Sequence, residues 1–258
     1  MTQSAAVVTG AAGDIGCAIA ARLAEDHDVV ILADLDGTAA EKAAAGLAGA
    51  ARFIAVQCDV TDRDAVKELA AETARHGQVR TLVNNAGAAR DASLQETATE
   101  NWQKDISLNL EAAFLCFKTF EEALKRSQGA VVNIASVNGL QVFGHPAYSA
   151  AKAGLIHLTK LIAVEYGKFG IRANAVAPGT VRTQAWDTRA AANPKVFEEA
   201  RRWYPLQRIA SPDDVANAVK FLSSPLAAAI TGTCLPVDCG LTAGQAELAR
   251  TFSQSSMY

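Results

Sequence analysis

Several features that mark specialised classes of protein are absent from this sequence of 258 residues. No segment is apolar for the length of a bilayer, and no apolar run behind a positive N-terminal region indicates a signal peptide. The net charge is −3 and the basic residues form no cluster, so we expect neither nucleic acid nor a membrane surface as a partner. With 50% hydrophobic and 20% charged residues, the composition is typical of a globular protein.

Cysteine is also sparse, and its placement argues against a disulfide-rich protein and against a zinc-binding protein. The five cysteines are odd in number, and no Cys-x-x-Cys or mixed Cys/His spacing occurs among them. We therefore predict no disulfide framework and no metal site. Scattered cysteines fit a reducing compartment best, so we expect a cytoplasmic location.

The chain does contain a regular alternation of apolar and helical segments. Seven apolar segments lack strict apolar–polar alternation, as strands buried on both faces do. They cover residues 5–9, 29–33, 53–56, 81–83, 130–135, 171–176 and 234–237. The longest helical patterns between them cover residues 99–125 and 147–167. This alternation predicts an α/β fold in a single domain, with a doubly wound parallel sheet of seven strands and helices on both faces.

The first predicted strand runs into a glycine-rich turn, Gly10–Gly16, and then into a helix. In such a unit the glycines let the backbone approach a pyrophosphate, and the helix N-terminus favours its negative charge. A turn that merely joins a strand to a helix is the alternative interpretation.

The second predicted strand ends at Asp34. The carboxylate follows Gly16 by roughly 20 residues, the spacing at which an acid contacts the ribose hydroxyls of NAD. Leu35 and Asp36 come next, and the glycine turn has no basic residue, so a 2′-phosphate would meet uncompensated negative charge. This predicts NAD rather than NADP, although a helix cap or turn is the alternative role for Asp34.

Tyr148 and Lys152 are four residues apart, so on a helix they share one face. Tyrosine has an ordinary pKa near 10, which a neighbouring ammonium lowers. The pair can therefore serve as an acid/base unit, but an unreactive surface pair has the same spacing.

Special residues recur at the carboxyl ends of the predicted strands, where ligands bind to such sheets. They are Gly10–Gly16, Asp34, Asp59, Asn84–Gly87, Ser136 and Pro178–Gly179. Turn chemistry alone does not explain this recurrence.

In this order and spacing, the motifs closely resemble those of the short-chain dehydrogenase/reductase family over nearly the whole chain. The matching residues are Thr9–Gly16, Asp59, Val60, Asn84–Gly87, Asn109, Ser136, Tyr148, Lys152, Asn174 and Pro178–Thr183. The resemblance implies one Rossmann-like, dinucleotide-binding catalytic domain over residues 1–258, and a homotetramer.

The resemblance also implies catalytic roles. Tyr148 would exchange a proton with the substrate hydroxyl, while Lys152 would lower the pKa of Tyr148 and hold the nicotinamide ribose. Ser136 would orient the substrate oxygen, and Asn109 would hold a water that links Lys152 to solvent. The residues expected to contact the cofactor, NAD, are Gly10, Gly13, Asp14, Ile15, Gly16, Asp34, Asp59, Val60, Asn85, Ala86, Gly87, Tyr148, Lys152, Pro178, Gly179, Val181 and Thr183.

Two positions depart from the family's usual pattern. Asp14 stands where the turn commonly has glycine, and Cys239 replaces the first glycine of an Asp-Gly-Gly sequence. Aspartate is among the few residues that tolerate a positive φ, so the turn can still form. We expect the Asp14 carboxylate to point away from the pyrophosphate, because otherwise it would weaken binding.

Substrate choice is expected to depend on a lid over about residues 183–210 and on the loop 138–145. The lid mixes aromatic side chains with arginines, which suit carboxylate or phosphate groups. This favours a polar or anionic small-molecule substrate such as a sugar, sugar acid or hydroxy acid; arginines that simply face solvent are the alternative. The candidate substrate contacts are Asn138, His145, Trp186, Arg189 and Trp203.

The sequence thus predicts an NAD-dependent dehydrogenase that acts on a secondary alcohol or a sugar-like CH–OH group. A carbonyl reductase of 3-oxoacyl thioesters is the first alternative, because the chemistry is reversible. A non-catalytic dinucleotide-binding module is the second. The C-terminal tail, residues 241–258, is expected to reach a neighbouring subunit or to be disordered.

Overall fold

One parallel sheet forms the centre of the computed structural model, which describes residues 3–184, 191–255 and 257. Its strand order is β3-β2-β1-β4-β5-β6-β7, and every neighbouring pair is parallel. The strands are β1 (Ser4–Thr9), β2 (Val29–Asp34), β3 (Arg52–Gln57), β4 (Gln78–Asn84), β5 (Ala130–Ile134), β6 (Arg172–Pro178) and β7 (Cys234–Val237). The predicted seven-stranded, doubly wound sheet is confirmed.

Helices cover both faces of this sheet. They are α1 (Asp14–Leu23), α2 (Gly37–Gly46), α3 (Arg63–His76), α4 (Thr99–Ile106), α5 (Ala112–Ser127), α6 (Pro146–Tyr166), α7 (Val196–Arg201), α8 (Pro212–Ser223) and α9 (Ala246–Ser253). Side chains of α1, α2 and α8 pack on one face, and those of α3, α5 and α6 pack on the other. Among the described residues, no helix is both long enough and apolar enough to cross a membrane.

The core lies in two layers, one on each side of the sheet. Ala6 and Val8 of β1 belong to the layer under α1 and α8, whereas Ala5 and Val7 belong to the layer under α3 and α5. Successive side chains of a strand point to opposite faces, so both sets must be apolar when both faces are covered. This geometry explains why the strand segments of the sequence lack alternation.

The helix predicted over residues 99–125 is interrupted. Ser107–Glu111 form a π-helical turn between α4 and α5, where the backbone accommodates an extra residue. Apolar periodicity does not reveal such an insertion, because the flanking turns remain helical. The interruption places Asn109 in the π turn.

The order of the strands reverses between β1 and β4. Connections leaving these two strands run in opposite directions, and the divergence opens a crevice at their carboxyl ends. The glycine turn after β1 and Asn85–Gly87 after β4 therefore face each other across this crevice.

Candidate active site

A cleft of about 500 Å³ lies at the carboxyl ends of β1, β2 and β4. Its size falls within the range of small-molecule sites. Twelve of the residues predicted to contact the cofactor line it, namely Gly10, Gly13, Asp14, Ile15, Gly16, Asp34, Asp59, Val60, Asn85, Ala86, Gly87 and Thr183. Residues that were not predicted to contact the cofactor also line it, namely Ala12, Leu35, Cys58, Leu108 and Gln184.

Two glycines are required by the shape of the turn. Gly10 has φ of 62°, and a Cβ there would lie 2.8 Å from the Cα of Ala86. A Cβ on Gly16 would lie 2.3 Å from the carbonyl oxygen of Gly10. At Gly13, by contrast, a Cβ would meet nothing closer than 3.8 Å. The turn is thus compact at both ends, and the amino end of α1 opens into the cleft, where it can receive an anion.

The turn is tied to β4 by Asn85. Its Nδ2 donates to the carbonyl oxygens of Thr9 and Gly10, at 3.0 and 2.9 Å. In return, the Thr9 hydroxyl accepts from the backbone N–H groups of Asn85 and Ala86, at 3.0 and 3.1 Å. These bonds fix both sides of the crevice relative to each other.

Asp34 lies at the rim of the cleft and already has two partners. Its carboxylate accepts the N–H of Ala12 at 2.9 Å and that of Asp36 at 3.1 Å. It therefore has the turn-stabilising role that was its alternative interpretation. Two carboxylate oxygens offer about four acceptor positions, so the same group can still accept from ribose hydroxyls. No lysine or arginine is found among the described residues that line this cleft.

Ser136, Tyr148 and Lys152 come together beside the ends of β5 and α6. Pro146 occupies the first turn of α6, a favoured position for proline, and Tyr148 follows within that turn. The Lys152 Nζ lies 5.5 Å from the centre of the Tyr148 ring and donates to the carbonyl oxygen of Ile134 at 2.7 Å. The Ser136 side chain is close enough to the Tyr148 phenol to lower its pKa. Of the pair that the sequence left ambiguous, Lys152 is buried and Tyr148 is half-buried, so the two do not form a freely exposed surface pair.

Burial shifts both titratable groups of this cluster. It raises the pKa of Tyr148, and the hydrogen bond from Ser136 lowers that pKa by a smaller amount. Burial also lowers the pKa of Lys152 to about 7. The expected lowering of the Tyr148 pKa is thus opposed in this structure, because removing the phenolate from water costs more than the hydrogen bond to it provides.

Asn109 is oriented by the π turn and is almost fully buried. Its Nδ2 donates to the carbonyl oxygens of Ala88 and Asp105, at 2.7 and 2.9 Å. Its Oδ1 has no hydrogen-bond partner among the described residues. A Cβ on Gly87 would lie 2.7 Å from this oxygen and 3.3 Å from the Lys152 Nζ, so both groups border the same point. A buried acceptor beside an ammonium suits a link through water.

The predicted contacts at the end of β6 divide into two groups. Thr183 lines the cleft, but Pro178, Gly179 and Val181 are not among the residues that line it. The N–H of Gly179 donates to the carbonyl oxygen of Val237 at 3.1 Å, and Val181 forms a bridge with Ala210. These residues are therefore held against β7 and the segment before α8.

Of the candidate substrate contacts, Asn138 is the one bonded directly to Ser136. Its Oδ1 accepts from the Ser136 hydroxyl at 3.3 Å, and its Nδ2 donates to the Gly144 carbonyl oxygen and the Ser149 hydroxyl, at 3.0 and 3.2 Å. His145 precedes α6 with φ of 52°, and its Nδ1 lies 3.0 Å from the carbonyl oxygen of Asp91. Asn138 thus connects Ser136 to the loop that carries His145.

The remaining substrate candidates lie in the segment between β6 and α8. Trp203 follows α7 and is 39% exposed, with the Arg202 guanidinium 4.8 Å from its ring centre. Trp186 and Arg189 lie outside the described residues.

Two arginines, Arg90 and Arg208, are engaged by carboxylates. Arg90 forms an ion pair with the buried carboxylate of Asp105, and Arg208 pairs with Asp214 at 2.7 Å. Asp105 was not singled out from the sequence, since an acid inside a helical pattern carries no local signal of its partner. These ion pairs reduce the support for an anionic substrate.

Comparison with known proteins places the whole chain among enzymes of one family. A family model described as enoyl-(acyl carrier protein) reductase matches residues 10–242. A solved oxidoreductase of the short-chain dehydrogenase/reductase family from Burkholderia thailandensis superposes with a TM-score of 0.92 at 43% identity, covering 100% of both chains.

Two curated relatives carry more specific names. The 3-oxoacyl-[acyl-carrier-protein] reductase of Synechocystis is 39% identical over 249 residues, covering 93% of this chain and 98% of its own. The D-threitol dehydrogenase of Mycolicibacterium smegmatis is 37% identical over 247 residues, covering 92% of each chain. The chain is thus similar both to an acyl-thioester reductase and to a polyol dehydrogenase.

Proposed function

The chain belongs to the short-chain dehydrogenase/reductase family, and we propose that it is an NAD-dependent dehydrogenase of a secondary alcohol or sugar-like CH–OH group. The observation that carries the choice of cofactor is Asp34, a carboxylate at the rim of a cleft whose described residues include no lysine or arginine. A 2′-phosphate would approach this carboxylate without a compensating cation, whereas the free ribose hydroxyls of NAD can donate to it.

NAD, when bound, supplies the acceptor for the hydride. In the proposed reaction the Ser136 hydroxyl orients the substrate oxygen, and the Tyr148 oxygen takes the proton of the substrate hydroxyl as its carbon gives up hydride. Lys152, held by the carbonyl oxygen of Ile134, stabilises the phenolate form of Tyr148 that accepts this proton. Asn109 would connect this lysine to solvent through water, so that the proton leaves the buried centre. The product is the corresponding ketone.

The substrate that we propose is polar, and a neutral polyol or sugar suits the site better than an acid. The similarity to D-threitol dehydrogenase supports a polyol. Arg90 and Arg208 already pair with carboxylates, so neither presents an uncompensated charge to a sugar acid or hydroxy acid. Asn138 and His145 bring polar groups close to Ser136 and α6.

A carbonyl reductase of 3-oxoacyl thioesters is the second candidate. The similarity to the reductase of Synechocystis and the description of the family model support it. It differs from the first proposal in direction and in the size of its substrate. A non-catalytic dinucleotide-binding module is a third reading, which the assembled cluster of Ser136, Tyr148 and Lys152 disfavours.

The test is a spectrophotometric screen of polyols, sugars, sugar acids and hydroxy acids with NAD and NADP in parallel. A reverse assay with a 3-oxoacyl thioester uses both reduced cofactors. We expect polyol oxidation at least about tenfold more efficient with NAD than with NADP. Turnover of the thioester alone would establish the second candidate, and equal use of both cofactors would contradict the role of Asp34. Dinucleotide binding without turnover in either direction would support the third.

We also propose that the chain assembles as a homotetramer through α5 and α6. Phe114, Leu161 and Val164 are 51%, 46% and 81% exposed on these helices, and exposed apolar side chains favour association. Light scattering on the wild type and on Val164→Glu measures the mass directly. A wild-type monomer would contradict the proposal. A cytoplasmic location stays a prediction from cysteine usage.

A further inference from the structure

Asp14 is the residue at which the turn departs from the usual glycine, and its carboxylate has a partner far along the chain. Its Oδ2 accepts the backbone N–H of Gln184 at 2.6 Å. Asp14 is the first residue of α1, and Gln184 directly follows Thr183. All three line the same cleft. The bond therefore joins the two opposite walls of the proposed dinucleotide site.

Thr183 lies between two anchored neighbours. On one side, the N–H of Arg182 donates to the carbonyl oxygen of Ala210 at 3.0 Å. On the other side, Gln184 is held by Asp14. Without the carboxylate, the described backbone after Arg182 would lose its second anchor, and Thr183 would be tethered from one side only.

The carboxylate of Asp14 also carries a negative charge at the amino end of α1, where the pyrophosphate is expected to bind. The amino end of α1 favours an anion, and both the Asp14 side chain and a pyrophosphate would compete for it. A carboxylate free to turn into the cleft would repel the pyrophosphate. The N–H of Gln184 holds it aside, and a hydrogen bond to a charged acceptor is stronger than one between neutral groups.

We propose that Asp14 is a positioning residue, a latch that fastens the backbone at Gln184 to the start of α1 and so keeps Thr183 against the bound dinucleotide. The proposal rests on the proposed function only in taking the cleft as a dinucleotide site. The latch is a contact within the chain. A glycine at this position would provide neither the latch nor the repulsion, whereas aspartate provides both.

Two substitutions separate the latch from the charge. Asp14→Asn keeps an acceptor oxygen without the charge, and Asp14→Ala removes both. If Asp14 acts as a latch, hydrogen exchange of the Gln184 amide becomes about tenfold faster in Asp14→Ala and stays close to wild type in Asp14→Asn. Calorimetry with NAD then gives a Kd at least about threefold weaker for Asp14→Ala than for Asp14→Asn.

A matched control is Asp64→Ala, which removes a carboxylate from the first turn of α3, a helix whose residues do not line the cleft. We expect it to leave both measurements unchanged. Equal tightening of NAD binding in both Asp14 variants would show a purely repulsive charge and overturn the proposal. An unchanged exchange rate of the Gln184 amide in Asp14→Ala would overturn it as well. The amide exchange needs neither NAD nor turnover, so failure of the proposed function would leave this readout intact.

Discussion

The two walls of the cleft are held in different ways. The turn wall, formed by Thr9–Gly16 and Asn85–Gly87, is joined by four hydrogen bonds between the ends of two central strands. The β6 wall is the segment Pro178–Gln184, of which Thr183 and Gln184 line the cleft. Its start is anchored to Val237 and Ala210, but the end that lines the cleft is held by one bond from the exposed Gln184 to Asp14. Segments with few buried contacts open at a lower free energy than those in the core.

This difference suits the order of events at such a site. Hydride and proton transfer need groups that are held closely in place, and the turn wall adjoins the proposed catalytic residues through Gly87 and Lys152. Entry and release of ligands need a wall that opens. The comparison therefore predicts that substitutions near the turn wall strongly reduce NAD binding or turnover. Substitutions in the β6 wall should change them only slightly.

The largest effect is expected from Tyr148→Phe, which removes the proposed proton acceptor and leaves the ring in place. Turnover should fall by about 1,000-fold, while NAD binding stays close to wild type. Steady-state assays and calorimetry measure the two. Tyr166→Phe, at the other end of α6, is the control and should keep full turnover. Near-normal activity of Tyr148→Phe would refute the proposed chemistry.

Gly16→Ala tests the compactness of the turn wall. The added Cβ would lie 2.3 Å from the Gly10 carbonyl oxygen, so the turn must change its shape. NAD affinity should fall about tenfold or more, as overpacking commonly costs about 1–3 kcal/mol. Gly13→Ala, where space is open, should bind within about twofold of wild type. Comparable losses in the two variants would mean that clearance does not control binding.

Lys152→Met tests whether burial of the Lys152 ammonium lowers the free energy of unfolding. Burial lowers the pKa of Lys152 from 10.5 to about 7, so the unfolded chain binds more protons between these values. Wild-type stability should then rise with pH across that window. Lys152→Met should be more stable by about 1 kcal/mol or more below pH 7 and lose that advantage as the pH approaches 10.5.

Urea unfolding at several pH values measures this difference. Lys160→Met changes an exposed lysine of the same helix and should show no such pH trend. A variant at position 152 that is less stable than wild type throughout would mean that the hydrogen bond to Ile134 outweighs the burial of the ammonium.

The smallest effect is expected at the β6 wall. The Tyr204 hydroxyl donates to the Thr180 hydroxyl at 2.8 Å, and Tyr204 is buried. Tyr204→Phe should lower the free energy of unfolding by about 1 kcal/mol and leave kcat within about threefold of wild type. Thr180→Ser keeps the acceptor and is the control. A kcat loss approaching that of Tyr148→Phe would remove the distinction between the walls.

Much of the site was predictable because its residues carry local signals. Gly10 and Gly16 are demanded by backbone clearance, and Asp34 marks the end of a buried strand. Tyr148 and Lys152 share a helix, so their spacing alone brings them close. The conformation and spacing of such residues depend mainly on their neighbours in the sequence.

Other features depend on partners far along the chain and could not be predicted in this way. The Asp14 carboxylate meets Gln184 across the cleft, and Arg90 is paired by Asp105. The π turn at Asn109 leaves the apolar pattern of its helix unchanged. Burial raises the pKa of Tyr148, and burial depends on the packing of several elements.

By itself the sequence determined the doubly wound sheet and the position of the cleft, and it predicted the catalytic side chains. These follow from apolar segments, turn glycines and helical spacing, which act over a few residues. Only the tertiary structure decided which charges are paired, how deeply Tyr148 and Lys152 are buried, and how the two walls are fastened. Those properties arise from contacts between distant segments, whose geometry exists only once the chain has folded.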